Sequence, residues 1–312
     1  MINKTKSIAV LTTVLLVATV LPAASAAPDP PAYKVVFDHP IAAGQVIKGD
    51  IHSRQRQYVV ADGVAKLAQP TGYSEARAKY QMTVGSVDSR GIPVVAVLRL
   101  DELFASSDTV DLPAKSRLSG KVLVRIPRNS GQYIREDGIE VSTRDSDIVG
   151  ALFGGFFESD TVTDDEMFAP RGTIRVGETW AGNSAAIAKM VSGQLNTTIQ
   201  PEHTKGTAKL NGIVTRVGVP CLDITLRIDV DYIANPPVRL GYMGVRTLTD
   251  DAVKIDSATY IAEQRAFCPV DTQLPELETC STLTYKLKTH VDGKPVEMNF
   301  ERVLDGRQNV SR

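Results

Sequence analysis

The chain has 312 residues, with 35 Lys and Arg against 36 Asp and Glu and 43% apolar residues. That length allows one or two domains with a sizeable core, and the composition is that of a globular protein. A formal charge of −1 gives no electrostatic ground for nucleic-acid binding.

The first segment reads as an export signal. Lys4 and Lys6 precede an apolar run over 8–21, then Pro22 and the small-residue stretch Ala23-Ala24-Ser25-Ala26. A basic start, a short apolar run and an A-x-A site make residues 1–26 a secretory signal peptide with Ala27 as the mature start. The run is shorter than the ~20 apolar residues of a membrane anchor, and no cysteine follows it, as a bacterial lipoprotein would require. The expectation is an exported protein, periplasmic or secreted, without a transmembrane segment in the mature chain.

Strand patterns dominate the rest of the chain. The stretches 76–87 and 92–104 flank the turn Asp88-Ser89-Arg90-Gly91, and Leu118, Val122, Val124 and Ile126 alternate with polar residues. Leu283, Tyr285 and Leu287 alternate with Thr and Lys, then meet Val296, Met298 and Phe300 across Asp292-Gly293. That dipeptide favours a two-residue hairpin because both positions tolerate positive φ. One apolar and one polar face predicts antiparallel sheet.

Two stretches break the pattern. Residues 145–160 carry Asp145 or Ser146 as a cap and an apolar run over 148–157, interrupted by Gly150, Gly154 and Gly155. Residues 182–195 carry Asn183 as a cap and an Ala-rich body. Both are expected to be helices. Of the three cysteines, Cys268 and Cys280 are spaced to close a small loop as a disulfide, leaving Cys221 as a buried thiol in a strand.

The two halves share short motifs. Residues 41–49 align without a gap on 174–182: Ile41 on Ile174, Gly44 on Gly177, Ile47 on Trp180, Gly49 on Gly182. Residues 91–101 align on 218–229 with one insertion, each after a strand beginning Ala-Lys, at Ala78-Lys79 and Ala208-Lys209. The fold expected is therefore β-rich α+β: two similar units of curved antiparallel sheet, each with a helix. The first spans 27–144 and the second 168–312, joined by an apolar helix and acidic connector over 145–167. If Trp180 stands where the other copy has Ile47, the shared requirement is a large apolar side chain, which makes the lone indole a packing anchor.

The order Phe168-Ala169-Pro170, then Val176-Gly177-Glu178-Thr179-Trp180 resembles uncharacterised exported bacterial proteins classed as domains of unknown function. The resemblance covers about fifteen residues and implies a bacterial envelope protein; it brings no activity with it.

Catalytic and metal chemistry is thinly supported. Gly182-Asn183-Ser184-Ala185-Ala186 sits between a strand and a helix, where a nucleophile elbow would place Ser184 as nucleophile with His203 or His290 as base. An elbow needs a parallel sheet, whereas capping of the helix by Asn183 and Ser184 does not. His39, His52, His203 and His290 show no metal-ligand spacing. Glu158, Asp160, Asp164, Asp165 and Glu166 offer oxygens to calcium without the EF-hand spacing or its glycine; the plainer reading is a solvated connector. No cofactor motif is present.

The aromatic cluster is the strongest binding signal. Phe153, Phe156, Phe157 and Phe168 are half of the chain's eight phenylalanines. They belong either to a helix buried between sheets or to a plug over an apolar pocket for a lipid-like ligand. Three functions stay open: a non-catalytic exported protein binding an apolar or amphipathic ligand, or a protein partner, in a sheet concavity; a structural envelope module without a small ligand; and a serine hydrolase on Ser184.

Overall fold

The computed structural model describes residues 31–38, 41–61, 64–65, 72–107, 118, 120–125, 133–153, 162–195, 197–216, 218–234, 254–274, 278–291 and 294–311. The expected signal peptide, residues 1–26, lies outside them. In chain order the strands are β1 (Ala32–Lys34), β2 (Val46–Ala61), β3 (Val64–Ala65), β4 (Gly72–Val87), β5 (Pro93–Ser107), β6 (Lys121–Arg125) and β7 (Tyr133–Arg135). Helices α1 (Thr143–Phe153) and α2 (Asp164–Phe168) come next, followed by β8 (Thr173–Arg175), β9 (Thr179–Ala181) and α3 (Ser184–Leu195). The chain closes with β10 (Thr204–Arg216), β11 (Val219–Ile233), β12 (Lys254–Pro269), β13 (Glu278–Val291) and β14 (Lys294–Ser311). No described helix is long and apolar enough to cross a membrane.

The expected antiparallel, β-rich class is what the chain forms. Instead of separate sheets for the two halves, one 12-stranded sheet runs β7-β6-β5-β4-β2-β14-β13-β12-β11-β10-β9, with β3 on β2, beside a two-stranded sheet of β1 and β8. The link is the ladder between β2 and β14, sixteen rungs from Val46 opposite Ser311 to Ala61 opposite Val296. The last strand of the chain thus pairs with a strand of the first half. Adjacent hairpins such as β4/β5 and β10/β11 are local, but closing β2 on β14 depends on contacts across the whole chain, which local periodicity does not encode.

Turn chemistry sets the hairpins. Ladder β13/β14 ends with Val291 opposite Lys294; Asp292 and Gly293, where a turn is expected, lie outside the described residues. At the β4/β5 turn the Asp88 carboxylate accepts from the N–H groups of Arg90 (2.9 Å) and Ile92 (3.0 Å), an Asx-type closure.

The segments aligned between the halves make matching contacts. Gly44 (φ 83°) and Gly177 (φ 90°) both take a left-handed backbone that other residues rarely adopt. Gly44 N–H donates to the Val84 carbonyl while Val84 N–H donates to Gln45; Gly177 N–H donates to Leu210 while Leu210 N–H donates to Glu178. The Gln45 side chain accepts from Ala42 N–H (2.9 Å), as that of Glu178 does from Arg175 N–H (2.8 Å). One expected pairing does not hold: Ile47 lies opposite Met82 and Trp180 opposite Ala208, so Ala208 corresponds to Met82 and not to Ala78. The helices also differ in place, α1 following β7 and α3 lying between β9 and β10.

Among the described residues two larger apolar cores form, beside a small cluster of Cys221 and Phe267. The first gathers Ile47, Ile51, Met82, Leu98, Leu100 and Leu103 with Phe153 and other residues of α1. The second gathers Leu210, Leu222, Ile224 and Leu226 with Phe168, Ile187 and Val191. In β10 the alternation is strict from Thr204 to Leu210, buried and exposed in turn, because strand side chains point to opposite faces.

The disulfide expected between Cys268 and Cys280 is not made. In ladder β12/β13 Cys280 stands opposite Arg265, three rungs from Cys268. At ~3.4 Å per residue the two sites are roughly 10 Å apart along the strand, beyond the Cα separation a disulfide spans. Cys221 and Cys268 are both buried in the sheet.

Candidate functional site

The acidic stretch builds a helix start. The Thr163 hydroxyl accepts from Glu166 N–H (3.2 Å) and the Glu166 carboxylate accepts from Thr163 N–H (2.9 Å), a capping box at α2. Asp165 holds the preceding chain, accepting from Phe37 N–H (2.8 Å) and Asp38 N–H (3.3 Å), while Asp38 accepts from Asp165 N–H (3.2 Å). Burial pushes the Asp164 carboxyl up to about 6, the charges of Asp38 and Asp165 add to this, and a hydrogen bond with Gln264 opposes it. Asp38 is raised by the same cause, burial first. The carboxylates of Asp38, Asp165 and Glu166 therefore serve backbone amides, and among the described residues no three His, Cys, Asp or Glu are grouped to hold a metal ion. Glu158 and Asp160 lie outside the described residues.

Trp180 joins that start to the sheet. Its ring packs against the second core, half-buried, while Ile47 is fully buried in the first. The indole Nε1–H donates to the Phe168 carbonyl at 2.6 Å, a bond isoleucine cannot make, so the indole does more than fill space. The Phe168 ring meets Phe37 edge-on at 6.5 Å. Under these rings a Cβ on Gly206 would lie 2.2 Å from Ile187 Cδ1, and one on Gly182 would lie 3.0 Å from the same atom. Both glycines let α2 and α3 sit down on β9 and β10.

Ser184 is part of the helix start. Its hydroxyl donates to the Thr204 carbonyl at 2.8 Å, and the Asn183 side chain accepts from Ala185 and Ala186 N–H at 3.2 and 3.3 Å. His203 Nδ1 is 2.9 Å from Asp231; among the described residues no hydrogen bond joins Ser184 to an imidazole. The flanking strands β9 and β10 are antiparallel, so the parallel-sheet elbow that would activate Ser184 is missing. His52 pairs with Glu75 at 2.6 Å across β2 and β4, and His39 lies outside the described residues.

Phe153 and Phe168 do not share one core. Helix α1 is described from Thr143 to Phe153, residues 154–160 of the expected helix lie outside the described residues, and Ser142 caps α1 by accepting from Asp145 N–H (3.2 Å). Phe153 is fully buried in the first core, edge-on to Tyr80 at 4.9 Å; Phe168 is buried in the second. Phe156 and Phe157 lie outside the described residues.

Two polar features were not anticipated. On the face of β11 opposite the second core, Asp223 is 5% exposed and bound through both oxygens by Arg265, Nε at 2.8 Å and a terminal nitrogen at 2.7 Å. Arg265 and Arg216 stand 5.2 and 4.2 Å from the Phe267 ring centroid. Arg265 holds the Asp223 carboxyl below its ordinary value. An aspartate amid the apolar run 219–226 was the signal for it. On the core-facing side of β2 and β4, Ser53 and Ser74 are 0% and 2% exposed, and neither hydroxyl bonds to a described group. Serines in strands carry no sequence signal of that kind.

No protein-family model and no curated protein matches the chain. Among solved structures, lipovitellin, studied for its lipid–protein interactions, aligns over 85% of this chain and 25% of its own at 8% identity and a TM-score of 0.33. An outer membrane channel from Pseudomonas putida F1 aligns over 90% of this chain and 99% of its own at 9% identity and a TM-score of 0.18. The chain spans about a quarter of the lipovitellin chain it resembles.

Proposed function

We propose that this is an exported, non-catalytic protein that carries an apolar or amphipathic ligand against the core-facing side of its sheet. The observation that carries the reading is the register of β13 on β14, which sets Tyr285 opposite Phe300 and Leu287 opposite Met298. These strands lie between β12 and β2, so the strip is about 14 Å across at ~4.8 Å per strand step. Thr282, Thr284, Lys286, Glu297, Glu301 and Asp305 are half-buried, and the alternate register positions set Leu283 opposite Arg302, Tyr285 opposite Phe300 and Leu287 opposite Met298. An apolar strip of that width suits an acyl chain. Export follows from the signal-like residues 1–26, and the resemblance around Trp180 adds a bacterial envelope setting.

The same reading takes the chain as two similar units fused into one sheet. It is supported by the shared glycine turns and by Leu98 and Leu226, which lie opposite Met82 and Ala208. Each is followed by the same ion pair two residues apart, Arg99 with Asp101 and Arg227 with Asp229.

Native mass spectrometry of protein purified gently from its own host tests the ligand. A mass above the polypeptide, lost on organic extraction with release of an acyl-chain compound, is expected. A clean polypeptide mass overturns the reading.

A further inference from the structure

The segment that precedes β2 lies on the second core as a strap. Its strand β1 pairs with β8 over three rungs, Val35 and Phe37 are buried in that core, and the Phe37 ring meets Phe168 of α2 edge-on. A two-stranded ribbon this short is marginal by itself, so the strap depends on how its far end is held. There it is hooked to the start of α2. Asp165 accepts from the N–H groups of Phe37 and Asp38, and Asp38 accepts in return from Asp165 N–H. Asp38 also accepts from Asp164 N–H and from the Thr163 hydroxyl.

A third carboxyl stands behind this hook. Asp164 hydrogen-bonds with Gln264 of β12, a half-buried residue between Ala262 and Ala266, which both pack in the second core. The charges that act on Asp164 are Asp38 on the strap and Asp165 on its own helix, and its partner on β12 is neutral. Glu166 is exposed and turned back to Thr163 N–H. Arg265, the next residue of β12, pairs with Asp223 on the other face of the sheet. Among the described groups no cation acts on Asp164. An ionised Asp164 is therefore a third negative charge beside the two that hold the strap, and like charges at close range repel strongly where water is scarce. A protonated one leaves the hook undisturbed.

We propose that residues 31–38 form a pH-operated strap: protonation of Asp164 lets the Asp38–Asp165 hook close over Phe168, and its ionisation loosens the hook and uncovers that side of the second core. The proton goes to solvent on opening. With the strap closed, Asp164 titrates at about 6 against an ordinary 3.8, so the closed form is favoured in acid and loses its advantage as pH rises through 6. A strap that returned Asp164 to its ordinary value on opening would open about tenfold more often at pH 7.5 than at pH 5.

Hydrogen–deuterium exchange of the full chain at about pH 5 and about pH 7.5, corrected for intrinsic exchange, tests it. Protection of the Phe37 and Asp38 amides is expected to fall by about fivefold to tenfold between the two conditions, while the amides of Leu222, Ile224 and Leu226 in β11 keep theirs. In Asp164→Asn, which resembles the protonated carboxyl and so folds as the wild type does in acid, strap protection is expected to be equal at both pH values. Equal protection in the wild type overturns the proposal without recourse to the variant. A fall that persists in Asp164→Asn removes Asp164 as the trigger and overturns it as well. A fall shared equally by β11 shows loosening of the whole core in place of a separate strap, and overturns it too.

Discussion

Trp180 carries two separable contributions, a ring against the second core and an N–H on the Phe168 carbonyl. Trp180→Phe keeps most of the ring and loses the bond, and is expected to cost about 1 kcal/mol in urea unfolding. Trp180→Ala is expected to cost about 3 kcal/mol, the lower end for a large aromatic since the ring is only half-buried. Equal losses would mean the hydrogen bond contributes everything. Gly206 makes a sharper case, because its added Cβ would overlap Ile187 Cδ1. Gly206→Ala is expected to lose about 1–3 kcal/mol, and shortening the neighbour in Gly206→Ala/Ile187→Val should recover part of it. A double variant no better than the single one would place the strain elsewhere. The large apolar character of position 180 was legible in the sequence. Its hydrogen bond was not, because the acceptor is a main-chain carbonyl exposed by where α2 happens to end.

At the scale of elements, the start of α2 sets a pH dependence. The folded Asp164 carboxyl titrates at about 6 against an ordinary 3.8, so the folded chain holds a proton that the unfolded chain releases. Stability from this group is fully present below pH 3.8 and is lost as pH rises through 6. Asp223 acts in the opposite sense: its lowered value gives stability above pH 3.8 that is lost on further acidification. The melting temperature is therefore expected to rise by a few degrees as pH falls from 7.5 to about 5. Asp164→Asn should raise it at pH 7.5 and flatten that slope; a slope unchanged in the variant would remove Asp164 as the cause. The β12/β13 register gives a second expectation at this scale. Since Cys268 and Cys280 sit three rungs apart, reductant should leave the melting temperature unchanged, and a drop of several degrees would contradict the register. Strands, hairpin turns and the Asn183 cap were readable from periodicity and turn chemistry. The cysteine pairing was not, because spacing in the chain says nothing about which rung each residue reaches.

For the whole molecule, β2 and β14 are the seam. Sixteen rungs join the start of the first half to the end of the chain, so a fragment of residues 31–153 lacks one of the two long neighbours of β2. It is expected to show no cooperative unfolding transition alone and to gain one when mixed with residues 162–312. A fragment that melts cooperatively by itself would show that the first core suffices without β14.

The sequence by itself determined the antiparallel class, the hairpins and most of the strand faces, because alternation and turn residues act over a few neighbours. It also marked the two glycines whose turns match, since positive φ is a local demand. The tertiary structure alone decided that one sheet forms, that Phe153 and Phe168 enter different cores, and that Ser74 of β4 lies opposite Gln55 of β2. Those outcomes hang on which distant strands pair, and pairing is chosen by the burial of whole faces at once, which no short stretch of residues contains.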